Sequence, residues 1–569
     1  MNIDEQYYKK IDIAKKDIAN NNFDKAINEL LNIINVYGEE KDVLFELGKV
    51  YFLCNKKDDS EQIFKKIIKY KNKDVYLFLI KILKHKKNNE DIKTVIEYLK
   101  ECVNLFYNDS EIKLELQQTL MEVTEHLLEK QDFFYAFKTF FEFYRFFPAE
   151  LKELKNSIYL KVLECIRYDN IRNNKEKVYE LADKLLNIIP VDEIKIRNSL
   201  LNEKEIAEGK IILSSKPRKL QLVLTNKCNL RCVMCNFHNY DWSFNKTQLE
   251  QLKRLIPYLE LLIWQGGEVF LSKDFMGLFD LASNNNVKQT IITNALLIND
   301  SIAEKIVQNN VSLAISIDDI EKEGYEKIRK GGKFENLISN LKLLNTLKNK
   351  NKISNFNMQL SVVIMKSNYN KLDRFLDFAK TYGFSSIELN PINLSNNNYE
   401  EQIFFPRSDY DKIEYINSVL PDIYKKATKL GIKINSAIPT LKSEIYKNEK
   451  FPKINGTNNN NKYMQSYECN RKKDIDLKMS SICKTNETDN KYKSFCFVPW
   501  YSLMIDLDGY VSPSCICPTF YRDTISEMSI DDVWNSKTMS FYRTIVRTNS
   551  YNDICGKCSL GDISEERRF

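Results

Sequence analysis

From residue 219 the chain repeats one pattern six times: a short apolar run, then a stretch that mostly carries helical periodicity. The runs are "LQLVLTN", "LELLIWQGG", "KQTIITNA", "VSLAISID", "NMQLSVVIM" and "FSSIELNPI". Six βα units imply an α/β fold, a parallel sheet with its helices outside. Ligands of such folds collect beyond the carboxyl ends of the strands, so the residues just after each run are the ones to inspect.

The rest of the chain sets limits. At 569 residues it is too long for one ordinary core, and two to four domains are expected. An apolar share of 43% with 29% charged residues is that of a globular protein. Lys and Arg number 85 against 78 Asp and Glu, and no Arg-rich tract accompanies the excess, so nothing calls for a nucleic-acid partner. No run approaches a membrane span and "MNIDEQYYKK" lacks the apolar segment of a signal peptide, so a cytoplasmic protein with no membrane partner is expected. Ten of the 13 cysteines follow residue 227, which favours metal or redox chemistry there over a disulfide framework.

Residues 1–200 read as helix after helix. Leu44, Leu47, Gly48 and Tyr51 have the spacing of a tetratricopeptide first helix, and Ser60 and Phe64 stand where its second helix takes a small and an aromatic residue. Ala14, Ala26 and Leu30 occupy the positions of Gly48, Ser60 and Phe64 in the preceding repeat, and Ala136, Phe140 and Pro148 repeat the small, aromatic and terminating positions. The segment resembles a tetratricopeptide solenoid of about four or five helix pairs. A generic helical bundle is the alternative, since the match fades between residues 70 and 130.

Just after the first run comes "TNKCNLRCVMCNF", which puts Cys228, Cys232 and Cys235 into eight positions with no fourth cysteine near. A structural zinc site would need four closed ligands, and His238 does not complete a familiar spacing. An iron-sulfur cluster with one open iron suits three thiolates better. This CxxxCxxC loop after the first strand of a βα series resembles that of the radical S-adenosylmethionine (SAM) superfamily. Other strand ends agree: Gly266, Gly267 and Glu268 match the family's GGE motif, with Val269 in place of its proline. Thr293 and Asn294 of "TNA" resemble its TNG, and Ala295 in place of glycine suggests that a positive φ is not essential there.

The resemblance implies a partial (β/α)6 radical SAM barrel over residues 215–395, a 4Fe-4S cluster on Cys228, Cys232 and Cys235, and bound S-adenosyl-L-methionine. The glycines would let backbone approach the cofactor, and the Glu268 carboxylate would accept from its ammonium. Ser316 and Asp318 would lie near its ribose, Arg329 near its carboxylate and Met234 near its adenine, although a buried methionine also fills gaps. The reduced cluster would cleave the cofactor to a 5′-deoxyadenosyl radical, which abstracts hydrogen from a substrate.

Residues 396–490 read as a connecting region in which the Asn-rich "NGTNNNNKY" suggests a mobile loop, and Cys469 and Cys483 have no assignment. In residues 491–569, Cys496 precedes a strand-like run, "DLDG" reads as a hairpin turn, the returning strand delivers Cys515 and Cys517, and Cys555 and Cys558 form a CxxC. With "ISEMSIDDVWNS" and Arg543 this resembles a small C-terminal SPASM/twitch domain. The resemblance implies an auxiliary 4Fe-4S cluster on Cys496, Cys515, Cys555 and Cys558, with Cys517 the rival of Cys515 and a zinc site on the same thiolates the alternative.

The resemblance implies an enzyme that modifies a peptide or protein, gripped by the helical repeats and served by an electron donor such as a flavodoxin or ferredoxin. The alternatives are oxidation of a sugar-like or other small molecule, and a non-catalytic interaction protein with structural clusters. No acid, base or radical partner is assigned. Glu388 and Asn390 end the sixth run, but their strand parity is open.

Overall fold

The computed structural model describes residues 3–548 apart from 87, 107–108, 145, 147, 149–150, 172–173, 236–241, 352–354, 393–400, 402, 404–408, 437–495, 507–508, 516 and 518–520. The expectations for His238, Cys469, Cys483, Cys555, Cys558 and the Asn-rich stretch fall outside the described residues. The chain divides into two compact units, Met1–Ile196 and Arg197–Phe569.

The first unit is helical. Among the described residues its α-helices follow as five pairs: Ile3–Ala19 with Phe23–Tyr37, Lys41–Leu53 with Lys57–Ile67, Lys73–Lys84 with Asn89–Phe106, Ser110–Glu129 with Phe133–Tyr144, and Lys152–Ile171 with Lys175–Ile188. The small residues have a visible cause: a Cβ at Gly48 would stand 2.8 Å from the Phe64 ring, and the Ser60 hydroxyl donates to the Gly48 carbonyl at 2.7 Å. Only a glycine lets these two helices come so close. The turns repeat as well, since Asn21 and Asn55 both sit in the left-handed region, at φ 61° and 59°, where asparagine is tolerated. Between residues 70 and 130, where the sequence match fades, the helical pairing continues with side-chain caps from Asn72 and Asp109.

In the second unit all six apolar runs form strands: β1 (Lys219–Thr225), β3 (Leu261–Gly266), β4 (Lys288–Thr293), β5 (Val311–Ser316), β7 (Asn357–Ile364) and β8 (Ser386–Pro391). Two short strands, β2 (Arg231–Cys232) and β6 (Arg329–Lys330), pair with each other outside the main sheet. The main sheet also takes in β9 (Lys433–Ser436), β10 (Ser502–Ile505) and β11 (Val511–Ser512), in the order β11-β10-β1-β3-β4-β5-β7-β8-β9. All its neighbours are parallel except β10 and β11. One face is apolar: Leu222, Trp264, Ile291, Leu313, Leu360 and Leu389 join a single core with the surrounding helices. Gln265, Thr290, Ser316, Ser361 and Glu388 alternate with these residues and lie on the other face, partly buried.

The described part of the C-terminal segment, within residues 496–548, continues this sheet and core. Strand β10 pairs with β1, Lys219 opposite Ser502, and Trp500, Trp534 and Tyr542 belong to the same core. A helical turn, Val498–Tyr501, intervenes between Cys496 and the expected strand. Arg543 is fully buried, lies 4.4 Å over the Trp534 ring and donates to the carbonyls of Pro499, Ile211 and Trp534. The helix Ile194–Glu208 is tied in by Arg218, whose guanidinium meets Glu203 at 2.6 Å and Glu260 at 3.0 Å.

Candidate functional site

The cysteine loop leaves β1 at its carboxyl end, and neighbouring strand ends fix its path. Gly266 has φ 130°, and a Cβ there would stand 2.2 Å from the Thr225 carbonyl oxygen. A Cβ at Gly267 would stand 2.3 Å from the Lys227 carbonyl oxygen. The amides of Gly267 and Glu268 donate to those carbonyls, each at 2.7 Å. The room these glycines leave lets the chain's own backbone approach at the root of the cysteine loop.

Cys228, Cys232 and Cys235 are all free and partly buried. Arg231 staples the loop by donating to the carbonyls of Cys228 and Leu230 at 3.0 and 2.9 Å. The Cys228 sulfur accepts from the Leu230 amide at 3.4 Å, and the Asn294 side-chain amide approaches it at 4.0 Å while donating to Asn229 at 2.8 Å. Cys232 lies in β2 opposite Arg329 of β6, with the guanidinium 3.8 Å from its sulfur.

Behind Asn294 lies Glu268, fully buried, accepting from the Thr293 hydroxyl at 2.8 Å and the Asn294 amide at 2.9 Å. Burial pushes its carboxyl up to about 6 against the pull of these donors. Ala295 has φ 60°, so the strand end does need a left-handed residue, contrary to the reading of its alanine. Fully buried Asp318 holds Arg329 at 2.7 Å and accepts from the Val363 amide at 2.8 Å. The two side chains expected near ribose and carboxylate thus pair with each other. Burial pushes the Asp318 carboxyl up while Arg329 pulls it down; burial also opposes the Arg329 charge, but Asp318 and Cys232 hold the guanidinium protonated. Ser316 is partly buried, and Met234 packs with Ile328, Met365 and Ile392.

This donor set fits a cluster. Burial raises the Cys228 thiol and pushes the Cys232 thiol up to about 11, while Arg329 pulls both down. Metal binding displaces thiol protons, and a buried cation beside Cys232 offsets the thiolate charge that results. Among the described residues no three His, Cys, Asp or Glu side chains converge as a single metal ion would need. A four-iron cluster takes each thiolate at a different iron and asks for no such convergence.

At the other end, Cys496 and Cys517 are partly buried against the main core, whereas Cys515 is exposed, with electrostatic coupling to Lys219 at the start of β1.

Residues 222–379 match the model of the radical SAM superfamily, and residues 496–559 match that of an iron-sulfur cluster-binding domain, SPASM. The chain carries a radical SAM domain. That domain implies a 4Fe-4S cluster and S-adenosylmethionine, and the SPASM domain implies auxiliary iron-sulfur binding. The chain is 31% identical to an uncharacterized protein of Methanocaldococcus jannaschii, over 30% of this chain and 61% of that protein. It is 27% identical to the GTP 3′,8-cyclase of Clostridium botulinum, over 36% of this chain and 69% of the cyclase. The first match spans less than two thirds of that relative's length. Among solved structures, Streptococcus suis SuiB bound to S-adenosylmethionine aligns with a TM-score of 0.42 at 16% identity, over 72% of this chain and 83% of SuiB.

Asn229 was not legible as a site residue, since what marks it is contact with Asn294 and with the Cys228 sulfur, which no motif announces. The Arg218 network was missed as well, because its acidic partners lie on two separate elements and carry no motif.

Proposed function

We propose that this protein is a radical SAM enzyme that modifies a peptide or protein. The observation that carries the reading is the cysteine loop with Asn294 beside Cys228 and buried Arg329 beside Cys232. Cys228, Cys232 and Cys235 hold the cluster, and Arg329 offsets their charge. Glu268 fixes the strand end that presents Asn294. Bound together, cluster and cofactor supply a 5′-deoxyadenosyl radical that takes hydrogen from the substrate. Cys496, Cys515 or Cys517, Cys555 and Cys558 would hold an auxiliary cluster, which would supply an electron acceptor for the substrate radical, and a flavodoxin or ferredoxin would serve as electron donor. The peptide assignment draws on the helical unit, whose stacked pairs suit an extended partner. Among the described residues no helix is long and apolar enough to cross a membrane. A small-molecule reading is favoured by one observation, the similarity to a GTP cyclase.

The test is anaerobic. Reduced, reconstituted protein should release methionine and 5′-deoxyadenosine and bind about eight irons, as two 4Fe-4S clusters require. Alanine at Cys228, Cys232 and Cys235 together should remove about half of that iron, since one of the two clusters is lost. An absence of cleavage with the cluster verified would refute the enzyme reading; stoichiometric zinc beside a single cluster would refute the auxiliary cluster.

A further inference from the structure

Strand pairing settles the parity that the sequence left open. Ser316 of β5 stands opposite Ser361 of β7, and Ser361 stands opposite Glu388 of β8. Asn294 extends this row, because it follows Thr293, which is paired with Ile315. All four alternate with residues of the apolar core or sit on its far side, so they line the open face of the sheet. The row runs from the Asn294 amide, beside the Cys228 sulfur, to the Glu388 carboxylate. At a strand spacing of about 4.8 Å, Glu388 stands roughly 10 Å from Ser316, a reach that one substrate side chain can span.

Glu388 is held in place, but among the described residues no cation pairs with it. Its carboxylate accepts from the Gln359 side-chain amide, and the Asn390 side chain bonds to it as well. Both partners are neutral. The carboxyl is pushed upward by burial, and no lysine or arginine of the described residues offsets that push. A partly buried carboxylate normally finds a cation, and its free lone pairs favour a charge-assisted donor over another neutral one.

We propose that Glu388 is a substrate-binding carboxylate that takes an ammonium or guanidinium group, the side chain of a lysine or arginine in the modified peptide or protein. This rests on the peptide reading above and narrows it to a substrate with a basic residue close to the reacting carbon. Gln359 and Asn390 are positioning residues that orient the carboxylate across the open face.

The full chain, anaerobically reconstituted and loaded with S-adenosylmethionine, is titrated calorimetrically with acetyl-Gly-Lys-Gly-amide and acetyl-Gly-Arg-Gly-amide. The same peptides with norleucine or glutamate at the centre serve as comparison. A cationic peptide should bind about tenfold more tightly than the norleucine peptide, the scale of one charge-assisted hydrogen bond. Glu388→Gln should abolish that preference with iron content and circular dichroism unchanged. If Glu388→Gln does not fold, Glu388→Asp replaces it, and its shorter reach should weaken the cationic peptides alone. Equal affinities, no binding of either cationic peptide at millimolar concentration, or a preference that survives in the variant would overturn the proposal. Release of 5′-deoxyadenosine is followed separately, so loss of the enzyme reading is distinguishable from loss of this one.

Discussion

Arg329 bridges Cys232 and Asp318: its guanidinium stands 3.8 Å from the thiol sulfur and 2.7 Å from the carboxylate, all three at least partly buried. A two-residue pairing of β2 with β6 brings it there. The guanidinium therefore holds a structural anion on one side and the edge of the candidate cluster on the other.

Removing that cation should be costly even without metal. Arg329→Met leaves Asp318 fully buried and uncompensated, and breaking a buried pair in this way costs about 3–5 kcal/mol. Asp318→Asn in the same chain should restore a large part of it, because the unpaired charge is gone. Urea unfolding of iron-free protein measures both; a loss below about 1 kcal/mol in Arg329→Met would show that the pair is not coupled in solution.

Glu268 gives a pH dependence with a defined sign. Its folded carboxyl stands at about 6 against an ordinary 4.5, so the native state holds the proton more tightly than the unfolded chain does. The stability this group contributes is fully present below pH 4.5 and is lost as pH rises through about 6, a swing of about 2 kcal/mol. Glu268→Gln removes the swing, so the variant should gain on the wild type by about that amount between pH 4.5 and 7.5 in urea unfolding. A difference that stays constant with pH would contradict the burial of an ionisable Glu268.

The strands were legible because six buried runs carry one composition, and the cysteine loop because its spacing is local. The pairings were not. Nothing in the sequence joins Arg329 to Cys232, since two-residue strands have no periodicity to read. The place of β10 beside β1 was hidden for a related reason: the run 502–505 reads as a strand, but its partner lies far away in sequence. At Gly266 and Gly267 the need for glycine was legible, but the approach of another strand end's backbone was not, because those residues are distant in sequence.

Ala295 shows where propensity reasoning failed and what it costs. A residue with a Cβ in the left-handed region is strained by about 1–2 kcal/mol. Alanine persists there fully buried, its carbonyl accepting from Asn340 at 2.8 Å. Ala295→Gly should relieve the strain but lose about 0.5–1 kcal/mol of chain entropy along with some packing, so thermal unfolding should move little. Ala295→Val, with a branched Cβ at the same φ, should lower the melting temperature clearly. Equal melting of the valine variant and the wild type would mean that φ at this position is not what the structure gives.

The N-terminal limit of the catalytic unit is the last test. The barrel range that begins at residue 215 suggests a cut there, yet the helix Ile194–Glu208 supplies buried partners to the segment 214–218 and to Trp500. Glu203 meets Arg218, Glu205 accepts from the Ser214 and Ser215 amides at 2.7 and 3.1 Å, and Asn202 donates to the Trp500 carbonyl at 2.7 Å. Asn198 exchanges two hydrogen bonds with the Lys216 backbone. A chain beginning at residue 215 loses all of these and separates Arg218 from Glu203, one of its two acidic partners named above. One broken buried pair costs about 3–5 kcal/mol and each stranded polar group about 1–3, against a total stability of about 5–15. That chain should be insoluble or lack a cooperative thermal transition, whereas a chain beginning at Pro190 keeps the helix and should fold and take up iron. Comparable cooperative melting of the two chains would show that the helix does not support the sheet and that the strand pattern alone marks the limit of the unit.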